Sequence, residues 1–266
     1  MRGCVIALAV LLTIAGVPAR AAPTFSVQLG ADLRWFDWRE HLDGRQLLSE
    51  IGPQLLGQLQ LAWQQGPWQL RIDSGVGGGL AYYDGQLQNG TPYTSTAYEA
   101  VLDTEYALRW RDARGEIGIG LLQRDWLRYI EGDVGVSPAE ERYRWRLWLV
   151  GGEWRVHLGQ AFELRLAAQV GEPFSRSEKV YFRNGDDTLA LEPGPGTYWR
   201  IGLPLLPRGG STLRIEPYYQ QQSMARSAEA LITRNGLPTG FVAFQPASIR
   251  RELGVALRWQ MRRRAP

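Results

Sequence analysis

From Phe25 onward the chain alternates apolar and polar residues with a period of two, segment after segment. That period puts successive side chains on opposite faces of a strand, whereas a helix needs 3.6, so the alternation commits the chain to an all-β fold. Phe25, Val27, Leu29, Ala31, Leu33 and Trp35 share one face of the first strand, with Asp32 and Arg34 on the other. Leu55 to Trp63 form the second, Trp68 to Tyr82 the third, Tyr98 to Trp110 the fourth and Ile117 to Leu121 the fifth. In the sixth, Tyr143, Trp145, Leu147 and Leu149 oppose Arg142, Arg144 and Arg146. The pattern slips at Gly151-Gly152 and resumes through Trp154 to Leu158, which reads as a bulge in one long strand. A Gly-Gly turn there would leave an odd strand total. Phe162 to Val170, Trp199 to Leu205, Leu213 to Gln220 and Ile249 to Trp259 complete about ten strands.

Alternation alone does not say which face is inside, since a soluble barrel with an apolar lumen would read the same way. The connections decide. Tight turns fall at Gln64–Pro67, Asp112–Gly115, Leu158–Gln160 and Pro207–Gly210. Between them come long polar stretches at 40–50, 84–95, 128–141, 173–196 and 224–247. Short and long connections alternate, so one end of the barrel carries the turns and the other the loops, the asymmetry of transmembrane barrels with short periplasmic turns and long extracellular loops. Aromatic residues bracket the apolar stripes. Trp63, Trp68, Trp110, Phe162 and Trp259 lie toward the turns. Trp35, Tyr82, Tyr98, Tyr143, Trp145, Trp199 and Tyr219 lie toward the loops. Two such belts fit the interfacial girdles of a bilayer-embedded barrel.

The first 21 residues read as a cleaved signal peptide, with Arg2, an apolar run from Val5 to Val17 and a small-x-small site at Ala19-Arg20-Ala21. Residues 22–266 are then one barrel with a short basic tail, 260–266. The single cysteine, Cys4, lies inside the signal, so the exported chain has no thiol for a disulfide. The formal charge of +3 falls to about +1 without the signal, and the arginines are interleaved with acids. No basic stripe of the kind nucleic acid requires is present before the Arg262-Arg263-Arg264 tail, so no nucleic-acid partner is expected. The mean hydropathy of −0.27 is compatible with a membrane protein here, because the apolar residues are confined to one face.

On these strands, turns and girdles the chain resembles the small outer-membrane β-barrel proteins of Gram-negative bacteria, over about residues 24 to 259. The closing Leu253, Val255, Leu257 and Trp259 is similar to the final strand that the barrel assembly machinery recognises, although the tail from Gln260 departs from that pattern. The resemblance implies an outer-membrane location, contact with membrane lipid and lipopolysaccharide, and a monomer. The strand count also resembles the omptin proteases, whose chemistry needs a His-Asp pair facing two acids at the extracellular mouth. Of the two histidines, His157 lies beside a tight turn at the opposite end. His41, within Glu40-His41-Leu42-Asp43, is the catalytic candidate, with the acid two residues on, Asp43, as an orienting carboxylate and a solvated loop histidine as the plain reading. No Gly-x-Ser-x-Gly elbow, phosphate loop or metal-ligand cluster appears, and no cofactor or metal is expected.

The polar face carries both charge signs. Glu99, Asp103 and Glu105 are expected to neighbour Glu116 and Arg124, these to neighbour Arg142, Arg144 and Arg146, and Asp32 and Arg34 to meet Arg250 and Glu252 across the closing seam. Such a network either neutralises itself as a plug or lines a narrow anion path. Trp35, Phe36, Trp38 and Arg39, with Arg124, Trp126, Arg128 and Tyr129, are expected at the loop-side rim, where arginine can meet lipopolysaccharide phosphate. A structural or surface-interaction role leads, a narrow arginine-lined channel follows, and a surface hydrolase comes third.

Overall fold

The computed structural model describes residues 22–86, 90–133, 135–208 and 212–261. The expected signal segment, Gly209-Gly210 of the fourth turn, and the tail beyond Met261 lie outside them. In chain order the described strands are β1 (Thr24–Leu42), β2 (Arg45–Gln65), β3 (Trp68–Gln86), β4 (Pro92–Arg111), β5 (Gly115–Ile130), β6 (Ala139–Leu158), β7 (Phe162–Phe182), β8 (Leu189–Leu191), β9 (Tyr198–Gly202), β10 (Leu205–Pro207), β11 (Leu213–Met224), β12 (Ala230–Arg234), β13 (Leu237–Ala243) and β14 (Ala247–Met261). β9 and β10 act as one stave, both pairing with β7 and β11. With them, ten antiparallel staves close a barrel, sealed where β14 pairs with β1 from Val27↔Met261 to His41↔Ala247.

Apolar side chains face outward over a limited band. On β1 the band runs from Phe25 to Trp35; at ~3.3 Å per residue and ~40° of tilt this climbs ~25 Å, a bilayer's hydrocarbon thickness. Trp63, Trp68, Trp110 and Trp259 are exposed at its turn end, and Trp35, Tyr82, Tyr98 and Trp148 at its loop end. Gly78 sits where β3 and β4 approach closely: a Cβ there would overlap the Glu99 carbonyl oxygen.

The staves are longer than a bilayer needs. β2 and β7 each have 21 residues, against the ~9–11 that cross a membrane. The barrel therefore continues past its apolar band at the loop end, and the expected long loops shrink. The stretch 40–50 is strand on both sides of a two-residue turn, Asp43-Gly44, with φ of 50° and 78°. The stretch 84–95 reduces to a connection between Gln86 and Pro92, and 128–141 to one between Ile130 and Ala139. Above the band the outer wall is itself polar, so the apolar contrast that marks a strand fades from the sequence while the hydrogen-bonded ladder continues.

The sixth strand also differs from expectation. Gly151 and Gly152 pair in register with Gly118 and Ile117, with no slip between them. The register shifts lie at Arg146/Leu147 and Arg155/His157 instead. The even-numbered residues thus face outward without interruption from Arg142 to Trp154. Leu147 and Leu149 are buried while Trp148 and Val150 are exposed, so both faces are apolar there and the sequence contrast cannot identify the outer one.

At the loop end, β12 and β13 form a hairpin whose buried side packs on Val180, Leu189 and Leu191. Asp187 holds its turn: Gly236 and Asn235 donate backbone N–H bonds to it, at 2.9 and 3.2 Å, and the Thr233 hydroxyl donates at 2.7 Å. These donors, chiefly the Gly236 N–H, hold the Asp187 carboxyl below the usual carboxylate range. The depressed value means that the contacts are complete above the ordinary aspartate pKa of ~4 and are lost as pH falls through the lower folded value. Asp187→Ala is expected to release the hairpin at neutral pH, so that trypsin cuts after Arg234 several-fold faster. Equal cleavage rates would show that Asp187 does not hold the turn.

Candidate functional site

The lumen is built from the inward parity of each stave and has two zones. From the turn end to mid-barrel it is a lattice of alternating charge. Glu116 bridges Arg109 and Arg111, and Glu105 lies 3.2 Å from Arg109. Glu153 joins Arg165 at 3.0 Å and Arg214 at 2.6 Å; Glu216 takes Arg214 at 2.8 Å, Arg200 at 3.0 Å and Arg258 at 3.6 Å. At mid-barrel, Asp103 and Glu252 bind three arginines between them. Arg124 lies 2.7 Å from Asp103, Arg34 lies 2.8 Å from Glu252, and Arg250 pairs with Glu252. The Tyr218 hydroxyl donates to Asp32 at 2.8 Å. Glu105, Glu116, Glu153, Glu216, Asp103 and Glu252 each offset the desolvation of more than one guanidinium, which keeps so many charges inside a barrel tolerable.

Above this lattice the lumen is filled by aromatic rings. Phe36, Trp38, Trp126, Tyr143 and Trp145 are each 2% exposed or less. Trp126 stacks on Tyr143 at 4.5 Å between centroids and meets Trp38 edge-on at 4.8 Å. The Arg250 guanidinium lies over Phe36 and Trp126, 4.5 and 4.7 Å from their centroids. The cluster is capped by Arg128, whose guanidinium lies 2.6 Å from Glu50, 2.6 Å from Glu141 and 3.4 Å from Glu40. Trp38 donates its indole N–H to Glu40 at 3.0 Å, Trp126 donates its own to Glu99, and Tyr143 donates to Glu141 at 2.8 Å. Below the plug the space is open. A cavity of about 120 Å³ lies among Asp32, Arg34, Asp103, Arg124, Arg200 and Glu216, and a second of about 380 Å³ lies at the turn end.

The structure brings Asp32, Arg34, Glu99, Asp103, Glu105, Glu116, Arg124, Arg250 and Glu252 into the lumen. The seam is offset from the expected one, with Arg34 opposite Gly254 and Phe36 opposite Glu252, yet the long Arg34 side chain still reaches Glu252. Arg142, Arg144 and Arg146 correct the expectation: they face outward, because the phase of β6 is the reverse of the one read from the sequence. Tyr143 and Trp145 accordingly leave the outer girdle and join the plug, whereas Trp35, Trp63, Trp68, Trp110 and Trp259 are exposed outside and Trp199 is half-buried against Tyr219. Phe36, Trp38, Trp126 and Arg128, expected at the rim, are inside the barrel. Their parity follows from Arg34 and Arg124, two or four residues earlier, and could have placed them. Glu153, Arg200, Arg214 and Glu216 were not anticipated as members of the lattice, although the same parity marks them. His41 lies at the loop end of β1 and Asp43, its expected orienting carboxylate, in the turn that follows, and no hydrogen bond or ion pair joins the two among the described residues. No group of three or more potential metal ligands occurs among the described residues.

These features define a closed ten-strand antiparallel barrel of the outer-membrane type whose lumen holds a cluster of buried aromatic rings. No protein-family model and no curated protein sequence matches the chain. Among solved structures it is similar to the outer membrane protease OmpT from Escherichia coli, at 9% identity over 90% of this chain and 96% of that one, with a TM-score of 0.50. It also aligns with the translocator domain of the autotransporter NalP from Neisseria meningitidis (10% identity, 88% of each chain, TM-score 0.45). A third alignment is with the Pseudomonas putida toluene transporter TodX (10% identity, 89% of each chain, TM-score 0.39). At such identities the likeness is one of fold, and the barrel is what these proteins share.

Proposed function

We propose that the chain is an integral outer-membrane barrel closed to permeation, acting at the cell surface through its outer wall and loop end. The observation that carries this reading is the plug: five buried aromatic rings and the Arg128 clamp fill the lumen above the ion lattice. A conducting path would need those rings to part and the paired charges to separate, each step leaving buried charge unpartnered. The cavity at the turn end and the one at mid-barrel share Arg71, Glu153, Arg214 and Arg258 in their walls, and both lie below the plug. In this reading the N-terminal segment exports the chain, the assembly machinery inserts it by its last strand, and the turns face the periplasm. It functions as a monomer.

The purified barrel in planar bilayers is expected to give no stepwise conductance at neutral pH. Discrete, reproducible openings would replace this proposal with the narrow channel. Membrane placement is tested by fractionation: heat-modifiable migration in the outer-membrane fraction is the expected result. Recovery from the periplasm without detergent would contradict it.

A further inference from the structure

The arginine ladder of β6 has no place in the lumen. Arg142, Arg144 and Arg146 project from the outer wall on three successive outward positions, spanning ~13 Å along the strand. On β7 the outward Lys179 lies opposite Arg142, and Arg183 lies just beyond the end of the strand. Glu140 takes up Arg142 at 2.7 Å and Arg183 at 2.9 Å, and Asp125 takes up Arg144. Arg146 and Lys179 are exposed and have no ion pair among the described residues. An outward carboxylate, Glu172, lies on the band side opposite Trp148. Five basic groups against Glu140, Asp125 and Glu172 leave the strip with an excess of two positive charges.

Its height on the wall matters as much as its charge. Two residues below Arg146 on the same face is Trp148, 62% exposed and stacked on the outward Phe174 at 5.0 Å. That aromatic pair ends the apolar band, and the cationic strip begins directly above it. A soluble anion would meet the charges alone, whereas an amphiphile would meet both surfaces, its acyl chains against Val150 and the Trp148–Phe174 pair and its phosphate at Arg146 and Lys179. We infer that this strip on β6 and β7 is a binding site for a phosphorylated lipid of the leaflet on the loop side. The inference rests on the proposed membrane placement and not on the blocked lumen.

The test is calorimetric titration of the full barrel, folded in neutral maltoside micelles, with dihexanoyl phosphatidic acid, dihexanoyl phosphatidylcholine and inorganic phosphate. Phosphatidic acid is expected to bind at least tenfold more tightly than either of the others. Arg146→Gln combined with Lys179→Gln should weaken it about tenfold, with heat-modifiable migration unchanged because neither residue has a partner to lose. Arg146→Lys should retain most of the binding. Arg251→Gln, on the far wall of β14, should leave it unchanged. If the double variant does not fold, Lys179→Gln alone must weaken binding measurably. The inference is overturned if the variants bind phosphatidic acid as the parent does, if inorganic phosphate binds as tightly (a soluble-anion site), or if Arg251→Gln weakens binding equally. Conductance on the same preparation separates the two proposals. A barrel that conducts yet binds the lipid loses only the sealed-lumen reading, and one that is silent but binds no lipid loses only this one.

Discussion

Arg128→Ala is expected to destabilise the barrel by ~3–5 kcal/mol, the cost of breaking a buried ion pair from one side. In the native lumen the guanidinium serves Glu40, Glu50 and Glu141 together, and its side chain is 2% exposed. Removing it leaves three carboxylates facing one another above the aromatic plug, with Glu50 fully buried, Glu40 nearly so and Glu141 only partly exposed. Urea unfolding in micelles, followed by loss of the heat-modifiable band, measures the effect. Arg128→Met, which restores volume but not charge, should be almost as damaging. Adding Glu40→Gln, Glu50→Gln and Glu141→Gln to Arg128→Met should recover much of the loss, because a neutral cluster has no charge to compensate. A single variant within ~1 kcal/mol of the parent would mean that water already solvates these carboxylates, and that the loop end is less closed than the plug implies.

Gly78→Val should be worse still. A Cβ at Gly78 overlaps the backbone carbonyl of Glu99 on the neighbouring stave, so two staves must separate, whereas a flexible side chain could simply rotate away. Overpacking of this kind exceeds the usual ~1–3 kcal/mol, and failure to reach the folded band is the expected result. Gly57→Val is the control. It also faces outward on the band, but its Cβ would meet only the Val76 carbonyl at an ordinary 3.9 Å, and it should fold. If both variants fold alike, close approach of β3 and β4 is not what requires glycine at position 78.

Much of this molecule is legible along the chain. The outward faces of β1 to β4, the first three tight turns and the closing strand follow from period-two contrast and the breaks in it, because lipid on one side and charge on the other impose opposite demands on alternate residues. The contrast disappears wherever both sides of the wall make the same demand. On β6, Leu147 and Leu149 meet the plug while Trp148 and Val150 meet the band, so either parity reads as apolar. The same ambiguity inverted Arg142, Arg144 and Arg146, and it sent Tyr143 and Trp145 to the girdle.

An antiparallel β-barrel of about ten staves, with an apolar belt and a polar inner face of mixed charge, can be read from the residues alone, since those are properties of alternation and spacing. Only the assembled barrel shows that aromatic rings fill the lumen above the ion lattice and that the arginine ladder lies outside. Both depend on which residues from different staves meet at one height. Stave tilt and register bring Phe36, Trp38, Trp126, Tyr143 and Trp145 together from three strands, β1, β5 and β6, with Arg128 reaching Glu50 across the barrel from a residue 78 positions away. No local pattern carries that information, because the contacts are fixed by closure of the whole sheet.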